Sequence, residues 1–403
     1  MFLNMLVMLM KDDMDGFEME QKKKTMRVLI LGNPDSIWTK EFIEYAIIRP
    51  DIKVSVLYNS QASGKFARFY ESLGVEVIMA PPVSAFVMKI PKFRAVLMQK
   101  NYIRAARRYS PFDVIINMFV SPDTLYCAIA QKIDRERVLA YFCGSDIIRA
   151  DALTCFRLKS LLIKTDHVVF ASTSVQKTFE EKIGYLNDCK QTTIRLGLSV
   201  FSNIDWELTN SSIEKCKRSL GIPIGKITVS IGYNGSEAQN HLCVLKQIKL
   251  ISPEIKKKIL ILLPMTYAST KQYSAQVEAV AKVTGCEVMI FNEYMDHKTI
   301  AQLRLATDIF INAQVSDGLS ASVLESMYAG ASLLNASWLH YIEYDNWGLK
   351  YRNFSKFEDL PELLSNVMRT PLMRNEKNRE ILSSKMSWHQ CKVAWDKLLN
   401  GNR

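Results

Sequence analysis

Apolar residues in this chain gather into short unbroken runs. The cleanest is Arg27–Gly32 (RVLILG), and similar runs follow at Lys53–Tyr58, Val75–Ala80, Asp113–Val120, Arg137–Phe142 and His167–Phe170. A run that is apolar on both faces of an extended segment marks a strand covered on both sides, as in a parallel sheet. The intervals between the runs suit helical crossovers, and Val175, Phe179 and Ile183 recur at helical spacing. The pattern therefore predicts βαβ units in an open parallel sheet. The second half repeats it, with runs at Lys226–Ile231, Lys258–Leu263, Glu287–Phe291, Asp308–Ile311 and Ser332–Leu334. Between Leu198 and Ile222 the pattern weakens, with Asn203, Asp205, Asn210, Ser211 and Ser212, so the domain boundary is expected near residues 200–220. This gives an α/β protein with one domain over 26–200, another over 201–370 and a charged helical tail over 371–403. In the tail Trp388 and Trp395 fall seven apart, on one helix face.

Length agrees with this division, because 403 residues suit two ordinary domains better than one. Hydrophobic residues make up 48% and charged residues 23%, the balance of a soluble globular protein. The eight cysteines (Cys127, Cys143, Cys155, Cys189, Cys216, Cys243, Cys286, Cys391) show neither metal-ligand nor redox spacing, which fits a reducing cytosol. The five histidines are dispersed, so no metal site is expected. A net charge of +11 is compatible with nucleic acid, anionic lipid or a phosphorylated substrate, and does not choose among them. Residues 1–25 break the pattern. Met1–Met10 is apolar but too short to span a bilayer and has no signal-peptide flanks. We read 1–25 as a disordered or non-native extension, with Met26 as the natural start. No other segment is long and apolar enough to be a membrane span.

Candidate chemistry sits in the loops that follow the runs. The chain has neither a GxGxxG fingerprint nor a GxxxxGK[ST] loop, which disfavours a dinucleotide enzyme or an NTPase. Asp317–Gly330 reads DGLSASVLESMYAG: a Gly-containing loop, then a helix. Gly318, Leu319, Ser320 and Ser322 put backbone N–H groups at a helix start, where an anion binds well. Asp317 and Glu325 are acceptors when ionised, which suits sugar or ribose hydroxyls. The competing reading of Glu325 is a solvent-facing helix residue. Gly232, Asn234, Gly235, Ser236, Asn240 and His241 form a strand–Gly-loop–helix segment able to cradle a diphosphate, unless it is only a turn. Tyr267 and Lys271 offer a hydroxyl and a cation. Gly144, Ser145 and Asp146 close the fifth run, and the competing reading of Ser145 or Asp146 is a helix cap. Gly32 and Asn33 close the first.

The Asp317-to-Glu325 spacing, with Gly318, Ser320 and Gly330, resembles the donor signature of retaining GT-B glycosyltransferases of the group 1 type, with Asp in place of the first Glu. The Asn240-His241 helix start is similar to that of bacterial envelope-polysaccharide transferases. The resemblance implies two Rossmann-like domains with parallel sheets facing a cleft, the first for acceptor and the second for donor. The tail would brace the first domain. It implies a nucleotide-diphosphate sugar as donor substrate, no cofactor or essential metal, and transfer to a glycan or lipid-linked acceptor in surface-polysaccharide synthesis. Asp317, Glu325 and Asp146 would be catalytic. Glu293 and Tyr294 would lie by the nucleobase, and Gly32, Asn33, Gly144 and Ser145 over the cleft. The Arg and Lys that many relatives use against the leaving diphosphate have no counterpart here.

From Val77 to Phe112 there is no Asp or Glu, while Lys89, Lys92, Arg94, Lys100, Arg104, Arg107 and Arg108 mix with Phe93, Leu97 and Tyr102. That mixture suits an anionic bilayer on the cytoplasmic face, or else a solvated helix face. No RNA-binding module accompanies the charge, so nucleic acid is not expected. Two other readings stay open at this stage: a non-catalytic binding or scaffold protein on the same fold, and a nucleotide-sugar epimerase.

Overall fold

The structure is a computed structural model and describes residues 25–59, 62–83, 91–187, 189–369 and 374–401. The expectations for residues 1–24, for Lys89 and for the Lys92 side chain lie outside the described residues. Among the described residues the strands form two parallel sheets. The first has seven strands: β1 (Met26–Leu31), β2 (Ile52–Asn59), β3 (Glu76–Ala80), β4 (Phe112–Met118), β5 (Arg135–Phe142), β6 (His167–Phe170) and β7 (Lys190–Thr193), in the order β3-β2-β1-β4-β5-β6-β7. The second has six: β8 (Ile227–Ile231), β9 (Ile259–Pro264), β10 (Glu287–Phe291), β11 (Ile309–Asn312), β12 (Ser332–Ala336) and β13 (Arg352–Phe354), in the order β10-β9-β8-β11-β12-β13.

The apolar runs form strands because extended Val, Ile and Leu side chains can be buried on both faces at once. Every residue of β4 and of β9 is buried. Each large aliphatic side chain so buried contributes about 1.5–3 kcal/mol. All the runs read from the sequence are strands. The pattern missed β7 and β13, which are short, polar and at sheet edges.

By compactness the chain divides into two units, Met1–Asn117 with Tyr126–Leu139, and Met118–Leu125 with Ala140–Arg403. The first contains β1–β3 and the Pro91–Arg107 helix, whose Tyr102, Ala105 and Ala106 are buried while Arg94, Lys100, Arg104 and Arg107 are exposed. Phe93 and Val96 of that helix are also exposed, at 65% and 64%. The Gly32 loop belongs to this unit. Its Asn33 side chain accepts from the Asp35 N–H at 3.0 Å, and the Tyr70 hydroxyl donates to the Pro34 carbonyl.

The second unit contains the six-stranded sheet, together with the loops that follow β5, β6, β8 and β11. Its C-terminal helix, Trp388–Asn400, buries Trp388, Cys391, Trp395 and Leu399 along one face. The Trp395 indole donates to the Arg195 carbonyl at 3.2 Å and meets the Tyr141 ring edge-on at 5.0 Å. Trp388 fills the space beside Gly197, where a Cβ would lie 2.5 Å from its ring. In the six-stranded sheet the strand order reverses between β8 and β11. Open α/β sheets bind ligands at the carboxyl ends of strands at such a reversal.

Candidate functional site

The loops after β8 and β11 flank this reversal and are bonded to each other. Asn240 Nδ2 donates to the Ala313 carbonyl at 2.7 Å, and the Val315 N–H donates to the Ala238 carbonyl at 2.8 Å. Gly232 opens the β8 loop with φ +63°, and a Cβ there would meet Gln239 Oε1 at 2.8 Å and His241 Nε2 at 3.1 Å. Both the conformation and the space therefore require glycine. Gly235 is pressed equally closely against Ser269, and its N–H donates to the Tyr267 carbonyl at 2.8 Å. The loop thus brings Asn234, Gly235 and Tyr267 together, and Asn234 Nδ2 lies 3.4 Å from the Tyr267 hydroxyl. Ser236 caps the short turn that follows by accepting from the Ala238 N–H. His241 is fully buried, with Nδ1 3.3 Å from the Tyr273 hydroxyl. Burial lowers its pKa to about 4, so the ring is neutral near pH 7.

Asp317 leads into the Ala321–Tyr328 helix. Its Oδ2 accepts from the Tyr341 hydroxyl at 2.7 Å and its Oδ1 from the Gly318 N–H at 2.9 Å. Burial pushes its pKa up to about 6, opposed by the Tyr341 hydroxyl, the Gly318 and Ser320 N–H groups and the Gln314 amide. Two of the N–H groups that the sequence leaves open to an anion thus face this carboxylate instead. The shorter aspartate folds back onto its own loop. Gln314 Oε1 accepts from the Tyr233 hydroxyl at 3.1 Å and from Gln239 Nε2 at 3.3 Å, which ties the β8 side to the same network.

Glu325 is buried, and its Oε2 accepts from Arg304 Nε at 3.1 Å. The solvent-facing reading of Glu325 therefore does not hold. Arg304 comes from the His297–Ala306 helix and is buried as well, so the two form an interior ion pair.

The β5 loop also meets Asp317's loop. A Cβ on Gly318 would lie 3.1 Å from Ile148 and Val175 side chains and 3.6 Å from Gly144 Cα. The Ser172 hydroxyl donates to the Gly318 carbonyl at 3.4 Å. Asp146 lies in this loop, but its carboxylate is occupied by the N–H groups of Val120, Cys143 and Gly144 at 2.8–3.0 Å. Ser145 begins the Ser145–Ile148 helix, and neither it nor Asp146 is the capping residue, a place taken by Gly144 at φ +132°. Lys271 is exposed at the start of its own helix. Glu293 and Tyr294 are exposed after β10, at the sheet edge, with β9 between them and β8. Met295 packs on the Ile222, Leu260, Leu262 and Leu303 cluster.

Sequence reasoning missed Tyr341, Asn312, Gln314, Arg304 and Glu343. Glu343 is buried and accepts from the Thr173 N–H and from the Ser174 hydroxyl, the latter at 2.9 Å, with Arg195 3.8 Å away. Only Gln314 carried a local signal, as a polar residue just past a buried strand. Among the described residues no group of three or more His, Cys, Asp or Glu gathers as a metal would require, and no helix is long and apolar enough to cross a membrane.

Comparison with known proteins finds the same architecture. No protein-family description and no curated protein matches the sequence. Among solved structures, the chain is similar to a glycosyltransferase from Rickettsia africae ESF-5, with TM-score 0.72 and 15% identity over 94% of this chain and 100% of that one. It is also similar to Anabaena Alr3699/HepE in complex with UDP and glucose, with TM-score 0.68 and 15% identity over 93% and 100%. A third is sucrose-phosphate synthase from Thermosynechococcus elongatus, with TM-score 0.65 and 11% identity over 93% and 98%. The fold is the α/β fold of GT-B glycosyltransferases.

Proposed function

We propose that the protein is a glycosyltransferase that moves a sugar from a nucleotide-diphosphate donor to a glycan acceptor, retaining configuration and needing no metal. The observation that carries this reading is the pair of cross-linked loops after β8 and β11, with the Asp317 carboxylate between strand end and helix start at the strand-order reversal. A carboxylate there accepts from sugar hydroxyls, and with the Gly318 and Ser320 N–H groups turned to Asp317, those of Leu319 and Ser322 are the helix-start groups that would serve the diphosphate. Departure of a nucleoside diphosphate builds negative charge, which helix N-termini and backbone amides stabilise in place of a cation. That HepE was solved with UDP-glucose supports a donor of this class. On this reading residues 26–200 serve the acceptor, 201–370 the donor, and 371–403 brace the former.

We further place the reaction in bacterial surface-polysaccharide synthesis at the cytoplasmic face of the membrane. The exposed Arg94, Lys100, Arg104, Arg107 and Arg108, with Phe93 and Val96 beside them, suit an anionic bilayer and a lipid-linked acceptor.

The test is a thermal-shift series with UDP, GDP, dTDP and CMP, with and without EDTA. A ligand that binds only the folded state raises Tm by mass action. Selective, EDTA-insensitive stabilisation by one nucleotide is expected. No shift with any nucleotide would favour the non-catalytic reading, and a shift abolished by EDTA would remove metal independence.

A further inference from the structure

The Asp317 carboxylate belongs to a chain of side chains whose hydrogen-bond directions can be worked out from one end. Asn335 Nδ2 donates to the carbonyls of Ala336 and Leu339 at 2.9 and 3.0 Å, which fixes the orientation of that amide. Its Oδ1 must then face a donor, and Asn312 Nδ2 lies 2.9 Å away. The same Nδ2 lies 3.0 Å from the Tyr341 hydroxyl. An amide NH₂ has two protons and no lone pair to offer, so the Tyr341 oxygen accepts from it. The hydroxyl proton has one direction left, toward Asp317 Oδ2 at 2.7 Å. Strand pairing supplies the frame, since Asn312 and Asn335 are register partners on β11 and β12. The Tyr341 ring is held by stacking on Tyr344, with centroids 4.3 Å apart.

We propose that Tyr341 is the positioning residue for Asp317: the Asn335–Asn312 amide chain commits its hydroxyl to donating, and that bond holds the short carboxylate in one orientation as an acceptor for the donor sugar. The proposal rests on the glycosyltransferase reading only for the identity of the ligand. The bond matters because a hydrogen bond to the ionised form opposes the burial that favours the protonated one. The titratable groups that the charge of Asp317 perturbs are Tyr233 from the loop after β8, and Tyr341 and Tyr344 from the segment that enters the Ile342–Trp347 helix. All three are held as neutral phenols by burial, so they remain donors across the working range.

The experiment is a pH titration of the carboxyl carbons in the full chain labelled with [4-¹³C]aspartate, with Asp317→Asn to assign the signal. The same proteins are then titrated with UDP-glucose at several pH values. Wild type is expected to titrate at about 6. Tyr341→Phe keeps the ring and its stacking, and should raise the midpoint by about one unit, the equivalent of one lost hydrogen bond to a charged group. Asn312→Ala releases the hydroxyl to rotate and should move the midpoint the same way by less. It also carries the test if the Phe variant does not fold. The acid limb of UDP-glucose binding should follow each midpoint. An unmoved or lowered midpoint in both variants overturns the proposal. A moved midpoint with UDP-glucose binding that ignores pH overturns the positioning role. A moved midpoint with no UDP-glucose binding at any pH counts against the functional reading and leaves the relay standing.

Discussion

Asp146 after β5 and Asp317 after β11 are both aspartates at the carboxyl ends of interior strands, and burial raises the pKa of each. Their partners differ. Asp146 accepts from backbone N–H groups of Val120, Cys143 and Gly144, which cannot turn away without unfolding the loop. Asp317 faces the Gly318 and Ser320 N–H groups, but it is also held by a side chain, the Tyr341 hydroxyl at 2.7 Å, which orients it and leaves other lone pairs for a sugar's hydroxyls. A buried carboxylate surrounded by main chain is a brace. One held by a side-chain donor can take part in binding. The apposition of Gly318 and Gly144 lets the braced loop support the other.

The largest effect separates Glu325 from both aspartates. Arg304→Met should destabilise by about 3–5 kcal/mol in denaturant unfolding, because it leaves the Glu325 charge buried with its guanidinium removed. Arg304→Met combined with Glu325→Leu should recover most of that loss. If the double variant unfolds as easily as the single, the pair is not acting as a unit. Next is Asp146→Ala, which strands three N–H groups at about 1–3 kcal/mol each where they stay buried, so a loss of about 3 kcal/mol or more is expected. Wild-type stability in this variant would break the comparison.

Asp317→Asn should do the reverse. The folded value of about 6 lies above the unfolded 3.8, so folding favours the protonated acid. That contribution is complete below about pH 4 and is lost as pH rises through 6. The Asn variant should therefore match wild type near pH 4 and exceed it by about 2–3 kcal/mol at pH 7. UDP-glucose binding should meanwhile weaken by about 10- to 100-fold, the value of a hydrogen bond to a charged group. Paired calorimetry and unfolding at both pH values check the two halves separately.

How much of this was legible in the sequence follows the same division between local and distant partners. Interior strands such as β4 and β9 announce themselves, since burial on both faces demands unbroken apolar runs. The edge strands β7 (KQTT) and β13 (RNF) pair on one side only and carry no such demand. The loops with Gly232 and Asp317 were legible because glycine and acid mark a strand end locally. Tyr341 was not, being 24 residues beyond Asp317 and brought near by the pairing of β11 with β12. Arg304 likewise meets Glu325 only once two helices pack, and nothing in DGLSASVLE foretells that partner. Local pattern locates the loops, and the tertiary contacts decide what each acid in them does.

The smallest effect tests whether the two loops communicate. Ser172 caps the Thr173–Lys182 helix by accepting from the Val175 N–H at 3.0 Å, while its own proton reaches the Gly318 carbonyl. Ser172→Ala should cost about 1 kcal/mol through the lost cap. Ser172→Asp should restore the cap bond, since a carboxylate accepts from the same N–H, but Ser172 is fully buried, so the charge offsets part of that gain, and once ionised it has no proton for Gly318. If the Gly318 contact matters for Asp317, UDP-glucose binding should fall in both variants while helix stability recovers only in the aspartate. If binding recovers along with stability, the loop after β6 supports the site through the cap alone, and the coupling rests on the packing of Gly318 against Ile148, Val175 and Gly144.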